Sequence, residues 1–223
     1  RTLVDAGLRV VAFDLSPEQL AQAEARVPGA EFHCRSVLDP FPLAGTGVPA
    51  VVASLSLHYF PWRETLQVFE RLRQTLAPGG LLMIEIPDPE SGFGTLFRRY
   101  WLPWFQPQHQ HFVSYPNLRK ILEERGFSLV KVHRSEAHIR VDVSAAVYLF
   151  LEHLAPAPER PWLPRRGAAA RALRMLTFLL GTPLIVTGIL LDNTLARLYV
   201  SATIGNAFRV LARKGPEDAT PPT

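Results

Sequence analysis

LRVVAFDLSPEQL, residues 8–20, sets a short valine-rich apolar run, broken only by Arg9, directly against a carboxylate and a helix start. Residues 8–13 predict a strand buried on both faces of a parallel sheet, since such strands lack a polar side. The run stops at Asp14. Ser16 suits an N-cap, Pro17 the first helical position, and Gln19 can close a capping box. A buried strand therefore ends in an acid, and a helix begins two residues later. In doubly wound sheets ligands bind beyond the carboxyl ends of the strands. Asp14 is placed either to accept hydrogen bonds from a diol there or to act as an ordinary acid at a helix N-terminus.

The same alternation continues outward. Leu3 and Val4 precede Gly7, as at the end of a helix with a glycine cap. The helix from Pro17 runs to about Arg26 and closes at Pro28-Gly29. Further strands are predicted at 30–34, 50–55, 81–86, 128–132 and 207–212. Helices are predicted at 62–76, where Leu66, Phe69, Leu72 and Leu76 recur at helical spacing, and at 116–125. Ala77-Pro78-Gly79-Gly80 stops the first of these. Strands alternating with helices imply an α/β fold: a Rossmann-like, doubly wound, mostly parallel sheet with the last strand antiparallel. Residues 91–113 are aromatic and aperiodic, and read as a lid or substrate insertion. Residues 136–165 show no clear pattern.

The 223 residues hold 48% hydrophobic side chains, ample for a core, and a formal charge of +4. There is no compact basic run, so nucleic acid is not an expected partner. The single cysteine, Cys34, excludes an intrachain disulfide framework and reads as a core thiol rather than a nucleophile. His109 and His111 lack an accompanying carboxylate or cysteine at ligand spacing, so no metal site is expected.

Residues 176–191, LTFLLGTPLIVTGILL, carry no charge. They are short for a spanning helix, which needs about 20 apolar residues. Arg165, Arg166, Arg171 and Arg174 lie upstream. Cations beside an apolar helix suit an anionic membrane surface, whereas a hairpin packed on the sheet would be equally apolar. The expectation is two helices around Pro183, returning the chain to an edge strand at 207–212, with peripheral membrane contact through 168–200. The domain layout is then a core of 1–135 and 205–214, a lid of 91–113, a helical insertion of 136–204, and a disordered tail of 215–223.

Five pieces, in order, resemble the class I S-adenosylmethionine-dependent methyltransferases: VVAFDLSPEQLAQAEAR, FHCRSVLDPFPL, VVASLSLHYFPW, LRQTLAPGGLLMIEIP and RYWLPWFQPQHQHFVSYPNLRKILEERGFSLV. The resemblance covers residues 1–132 and 207–214. It implies that the family's first strand and glycine-rich loop are missing, because the chain begins inside the following helix. A gap is then expected between the strands at 8–13 and 50–55, and this piece alone is expected to be inactive. Ser36 stands where the family often has an acid, and Pro49 near where it often has an aspartate.

The resemblance also implies roles. Asp14 would take both ribose hydroxyls of S-adenosylmethionine, Leu15 would pack near the adenine, and Ser36 and Val37 would line its edge. Ser54, Leu55 and Ser56 would bring backbone groups to the methionine moiety. His58 and His109 are the candidate catalytic residues on the acceptor side, either as a base or as packed histidines. Tyr100, Trp101 and Trp104 would roof the pocket. The implied function is methylation of a small molecule in the cytoplasm; membrane contact through 168–200 would add the inner membrane face and access to a lipophilic acceptor. Two alternatives stand beside it: a non-catalytic membrane-associated binding protein, and a dinucleotide or nucleotide-sugar enzyme.

Overall fold

The structure, a computed structural model, describes residues 2–54, 57–104, 109–135, 140–157, 167–194 and 205–216. A first helical turn, α1 (Thr2–Asp5), is closed by Gly7 at φ +78, with Gly7 N–H donating to Val4 O and Leu8 N–H to Leu3 O. That cap consumes Leu8, so strand β1 spans only Val11–Asp14. It pairs in parallel with β2 (Glu31–Cys34), Val11 opposite Glu31 and Asp14 opposite Cys34. Between them runs α2 (Pro17–Arg26), capped as expected: the Gln19 amide donates to Ser16 Oγ at 3.2 Å. The Ser16 hydroxyl donates to Glu18, and the Ser16 amide, which Gln19 would accept in a capping box, donates to Asp14 instead.

The remaining strands form a second sheet in the order β3-β4-β6-β5. In it β3 (Val48–Ser54) lies parallel to β4 (Leu76–Pro87), while β6 (Ala207–Lys214) is antiparallel to both β4 and β5 (Phe127–Ser135). The final strand is thus interior and β5 is the edge, correcting the expected edge position of 207–212. Helix α3 (Trp62–Thr75) packs Val68, Phe69 and Leu72 on this sheet, and α5 (Tyr115–Glu124) adds Leu118, Ile121 and Leu122. Leu82, Ile84, Phe208 and Val210 complete the core. The Pro-Gly-Gly turn is a bulge inside β4: Leu76 already pairs with Val48, and pairing resumes at Leu81 opposite Ala50. Gly79 sits at φ +75, and a Cβ on Gly80 would lie 2.8 Å from Ala77 O.

Among the described residues no hydrogen bonds join the two sheets, so β1 and β3 are separated as the sequence reading expected. The separation also corrects that reading. Neither strand is buried on both faces: β1 has no fully buried residue, and Val52 in β3 is half exposed. Cys34, at the end of β2, is likewise exposed rather than in the core.

Two helices form a hairpin outside the sheet, α6 (Asp142–Leu154) and α7 (Ala168–Thr194). No helix was anticipated at α6. Helix α7 runs unbroken through Pro183, against the expected break. It is held on both sides of that proline, because Gly181 lies against Leu151 and Gly188 against the Ser144 backbone.

Candidate functional site

Strands β1 and β3 each end in a polar side chain, Asp14 and Ser54. Asp14 ends β1, and its Oδ1 accepts the Ser16 amide at 2.8 Å. The side chain is exposed, and a carboxylate has further lone pairs beyond that one bond. Leu15 follows it, 68% exposed. Beyond the end of β3 a single 3-10 turn, Leu57–Tyr59, carries His58 and Tyr59. Burial raises the Tyr59 phenol above its ordinary range, and the charge of Asp14 raises it further. Tyr59 therefore stands within electrostatic reach of Asp14 across the split between the sheets.

Residues 109–112 lie over this turn, with Gln110 N–H donating to His58 O at 2.9 Å. The His58 ring meets His109 and Tyr59, each with centroids 4.3 Å away, and stacks on Phe112 at 6.4 Å. His109 Nδ1 bonds Pro103 O, which fixes that ring. The structure thus brings both candidate histidines together. His58 is 4% exposed, and burial, followed by the charges of His109 and His111, pushes its pKa down to about 3. An imidazole with that pKa stays neutral and takes up protons weakly near neutral pH. Its buried Nδ1 has no partner among the described residues. His111 is also shifted down by burial, and its Nε2 stands 3.5 Å from the Thr65 hydroxyl.

The second loop is tied locally. Ser36 N–H donates to Asp39 Oδ2 at 3.0 Å, and Ser36 Oγ accepts the Leu38 amide at 3.0 Å. The hydroxyl proton of Ser36 remains available as a donor. Val37 turns its side chain toward the core and its carbonyl to Arg71 Nη1, 3.2 Å away, so only its backbone can serve a ligand. Ser54 Oγ donates to Glu85 Oε1 at 3.4 Å, and Glu85 in turn pairs with Arg209. Leu55 and Ser56 lie outside the described residues.

The aromatic segment links the histidines to α6. Trp104 and Phe112, with centroids 4.4 Å apart, stay beside the histidines. Trp101 packs on Trp104 and Phe112, with centroids 5.7 Å and 6.1 Å away, and is fully buried, donating Nε1–H to Asp142 Oδ1 at 3.1 Å. Tyr100 packs edge-on against Phe150 of α6. Sequence reasoning missed this anchoring because Asp142 was not seen as the start of a helix. It also missed Tyr59, for which only its position after a strand end was a signal. A separate depression of about 510 Å³, lined by Trp62, His111, Phe112 and Lys120 among others, includes neither Asp14 nor Ser54. Among the described residues no cluster of metal-ligating side chains occurs.

An α/β sheet split in two, with an acid at one strand end and a histidine–aromatic cluster beyond another, is an architecture that several classes of protein share. The comparisons narrow it. A family model described as "Methyltransferase domain" matches residues 1–132, and the chain belongs to that family. It is 37% identical over 82 residues to a trans-aconitate 2-methyltransferase of Paracidovorax citrulli, covering 37% of this chain and 31% of the relative. It is 30% identical over 105 residues to one of Afipia carboxidovorans, covering 46% and 40%. The chain thus spans about a third of the length of the curated relatives it matches. A SAM-dependent methyltransferase from Archaeoglobus fulgidus has the same fold, with a TM-score of 0.56, 14% identity, and coverage of 96% of this chain and 79% of that one. So does the cyclase SpnF, with a TM-score of 0.53, 15% identity, and coverage of 97% and 69%. The fold alone therefore does not fix the chemistry.

Proposed function

We propose that the protein is an S-adenosylmethionine-dependent methyltransferase acting on a small, weakly polar acceptor. The observation that carries this reading is Asp14 at the carboxyl end of β1, exposed, with one of its oxygens oriented by the Ser16 amide and its charge reaching Tyr59 beyond β3. A carboxylate so placed accepts hydrogen bonds from a ribose diol, and exposed Leu15 offers an apolar surface to adenine. Ser36 supplies a hydroxyl donor to the adenine edge, Val37 its backbone, and Ser54 at the end of β3 a backbone group for the methionine part.

When bound, the sulfonium cofactor supplies an already activated methyl group, so the protein's work is mainly alignment. Here the aligning surface is Tyr59, His58, His109, Trp104 and Phe112. His58, kept neutral by burial, serves as a hydrogen-bonding and shape-defining group rather than a strong base. His109, held by Pro103 O, positions the acceptor beside it. Neutral His58 and the rings of Tyr59, Trp104 and Phe112 favour an acceptor without a strong charge. The trans-aconitate relatives match through less than half of this chain, so their acceptor is not assumed here.

Titrating the full-length protein with S-adenosylmethionine and with NAD tests this directly. Saturable binding of the first, competed by S-adenosylhomocysteine, with none of the second, is expected. Preference for NAD would move the protein to the dinucleotide alternative, and binding of neither would favour a non-catalytic module.

A further inference from the structure

The α6–α7 hairpin turns its charged side chains Glu152, Arg174 and Asp192 inward, among Ala146 and Leu151, and carries large apolar side chains outside. Along α7 Gly181, Gly188 and Asp192 are buried, with Arg174, Phe178 and Ile185 half-buried beside them. Arg174 Nη2 donates to Glu152 Oε1 at 2.6 Å, at the C-terminal end of α6. At the other end Asp192 accepts the Val143 and Ser144 amides, each at 2.9 Å, and the Ser144 hydroxyl at 2.7 Å, capping the N-terminus of α6. Both charges thus complement the dipole of the helix they bind. The glycines allow close approach: a Cβ on Gly181 would meet Leu151 at 2.4 Å, and one on Gly188 the Ser144 Cα at 2.8 Å.

Outward, Met175, Leu179 and Leu180 are 71%, 67% and 69% exposed, and only 17% of the most apolar 18-residue stretch of α7 is buried. A soluble helix shows the opposite arrangement, with its apolar stripe inward. Three outward polar side chains bond their donors back to the helix. Thr182 Oγ1 donates to Phe178 O and Thr187 Oγ1 to Pro183 O, each at 2.8 Å, and Asn193 Nδ2 to Ile189 O at 2.7 Å. Side-chain donors that bond back to their own helix can enter hydrocarbon without an unpaired proton.

We propose that bilayer hydrocarbon covers the outward face of α7, and that the hairpin lies in one leaflet as a monotopic anchor. Residues 175–191, uncharged, extend about 25 Å at 1.5 Å per residue, short of a hydrocarbon core of about 30 Å. Arg171, exposed at the start of α7, then reaches the headgroups by which the leaflet is entered. The anchor is joined to the acceptor side of the site, since α6 holds Trp101 through Asp142 and Tyr100 through Phe150. The inference stands apart from the cofactor assignment, because it rests on the hairpin alone.

The test is flotation of the full-length protein with phosphatidylcholine vesicles, with and without phosphatidylglycerol. It is repeated at about 1 M NaCl, where the screening length is about 3 Å. Flotation with both vesicle types, retained in high salt, is expected. Leu179→Glu with Leu180→Glu should lower the bound fraction at least tenfold (on the scale set for buried apolar area and charge in lipid). Val130→Glu, on the exposed edge strand, should leave it unchanged, with circular dichroism verifying both folds. Arg171→Cys in a Cys34→Ser background should be fully labelled by a membrane-impermeant maleimide added outside the vesicles. Release by salt, equal flotation of the double-glutamate variant, protection of the introduced thiol, or a soluble dimer that ignores vesicles would each overturn the proposal.

Discussion

The imidazoles of His58 and His109 meet edge to face, their centroids 4.3 Å and their planes 85° apart. Gln110 N–H fastens the same strip of chain to His58 O, so the second ring is a lid over the first. That enclosure is what drives the pKa of His58 down to about 3 from an ordinary value of 6.5. The unfolded chain therefore binds a proton that the folded chain refuses. Stability from this group is complete above about pH 6.5 and is lost progressively as the pH falls toward 3, and His111, also lowered, adds in the same direction. Denaturant midpoints measured across that window should fall with pH. His58→Phe should flatten the slope, and an unchanged slope in the variant would mean that His58 is not buried neutral.

Trp101 and Asp142 join the aromatic segment to α6 through one buried hydrogen bond of 3.1 Å. Trp101→Phe keeps most of the apolar surface and removes only the donor. A hydrogen bond to a charged group is worth about 1.5–3 kcal/mol, and chemical denaturation should report a loss in that range. A neutral result would mean that the segment is held by packing alone.

Asp192 carries both amides and the hydroxyl at the start of α6. Asp192→Ala leaves them buried without an acceptor and should cost about 2–3 kcal/mol. Asp192→Asn, which keeps one good acceptor oxygen, should cost less. Hydrogen exchange at Val143 and Ser144 would locate the effect, and unaltered protection in the alanine variant would contradict the cap.

Gly188 has no room for a side chain, since its Cβ would fall 2.8 Å from Ser144 Cα. Gly188→Val should separate the two helices at a cost of about 1–3 kcal/mol, typical of overpacking. Gly167, with open space around it, is the control: Gly167→Ala should be close to neutral by thermal unfolding.

The parts of the fold that are local were legible in the sequence. Ser16 and Pro17 specify the start of α2 through their own backbone chemistry, and Gly7 and Gly79 mark positive-φ positions whatever surrounds them. The insertion of β6 between β4 and β5 was not legible, because the pairing of Phe208 with Ile86 and Arg134 spans long sequence separations that no periodicity records. Helix α6 escaped notice because its outward face carries Tyr148, Phe150 and Leu154, leaving no polar stripe to reveal a helical period. Arg174 and Asp192 read as charges flanking an apolar stretch. That both turn inward becomes visible only once the partner helix is in place. At the site, Asp14 was readable from its strand–helix context, whereas its relation to Tyr59 depends on two sheets meeting in space.

The central claim is that Asp14 holds the ribose of S-adenosylmethionine. Calorimetric titration of the full-length protein and of its Asp14→Ala and Asp14→Asn variants with S-adenosylhomocysteine tests it most directly. Loss of charged hydrogen bonds worth about 1.5–3 kcal/mol predicts a Kd raised about 10- to 100-fold in Asp14→Ala, and a smaller rise in Asp14→Asn. The same Kd in wild type and Asp14→Ala would contradict the account.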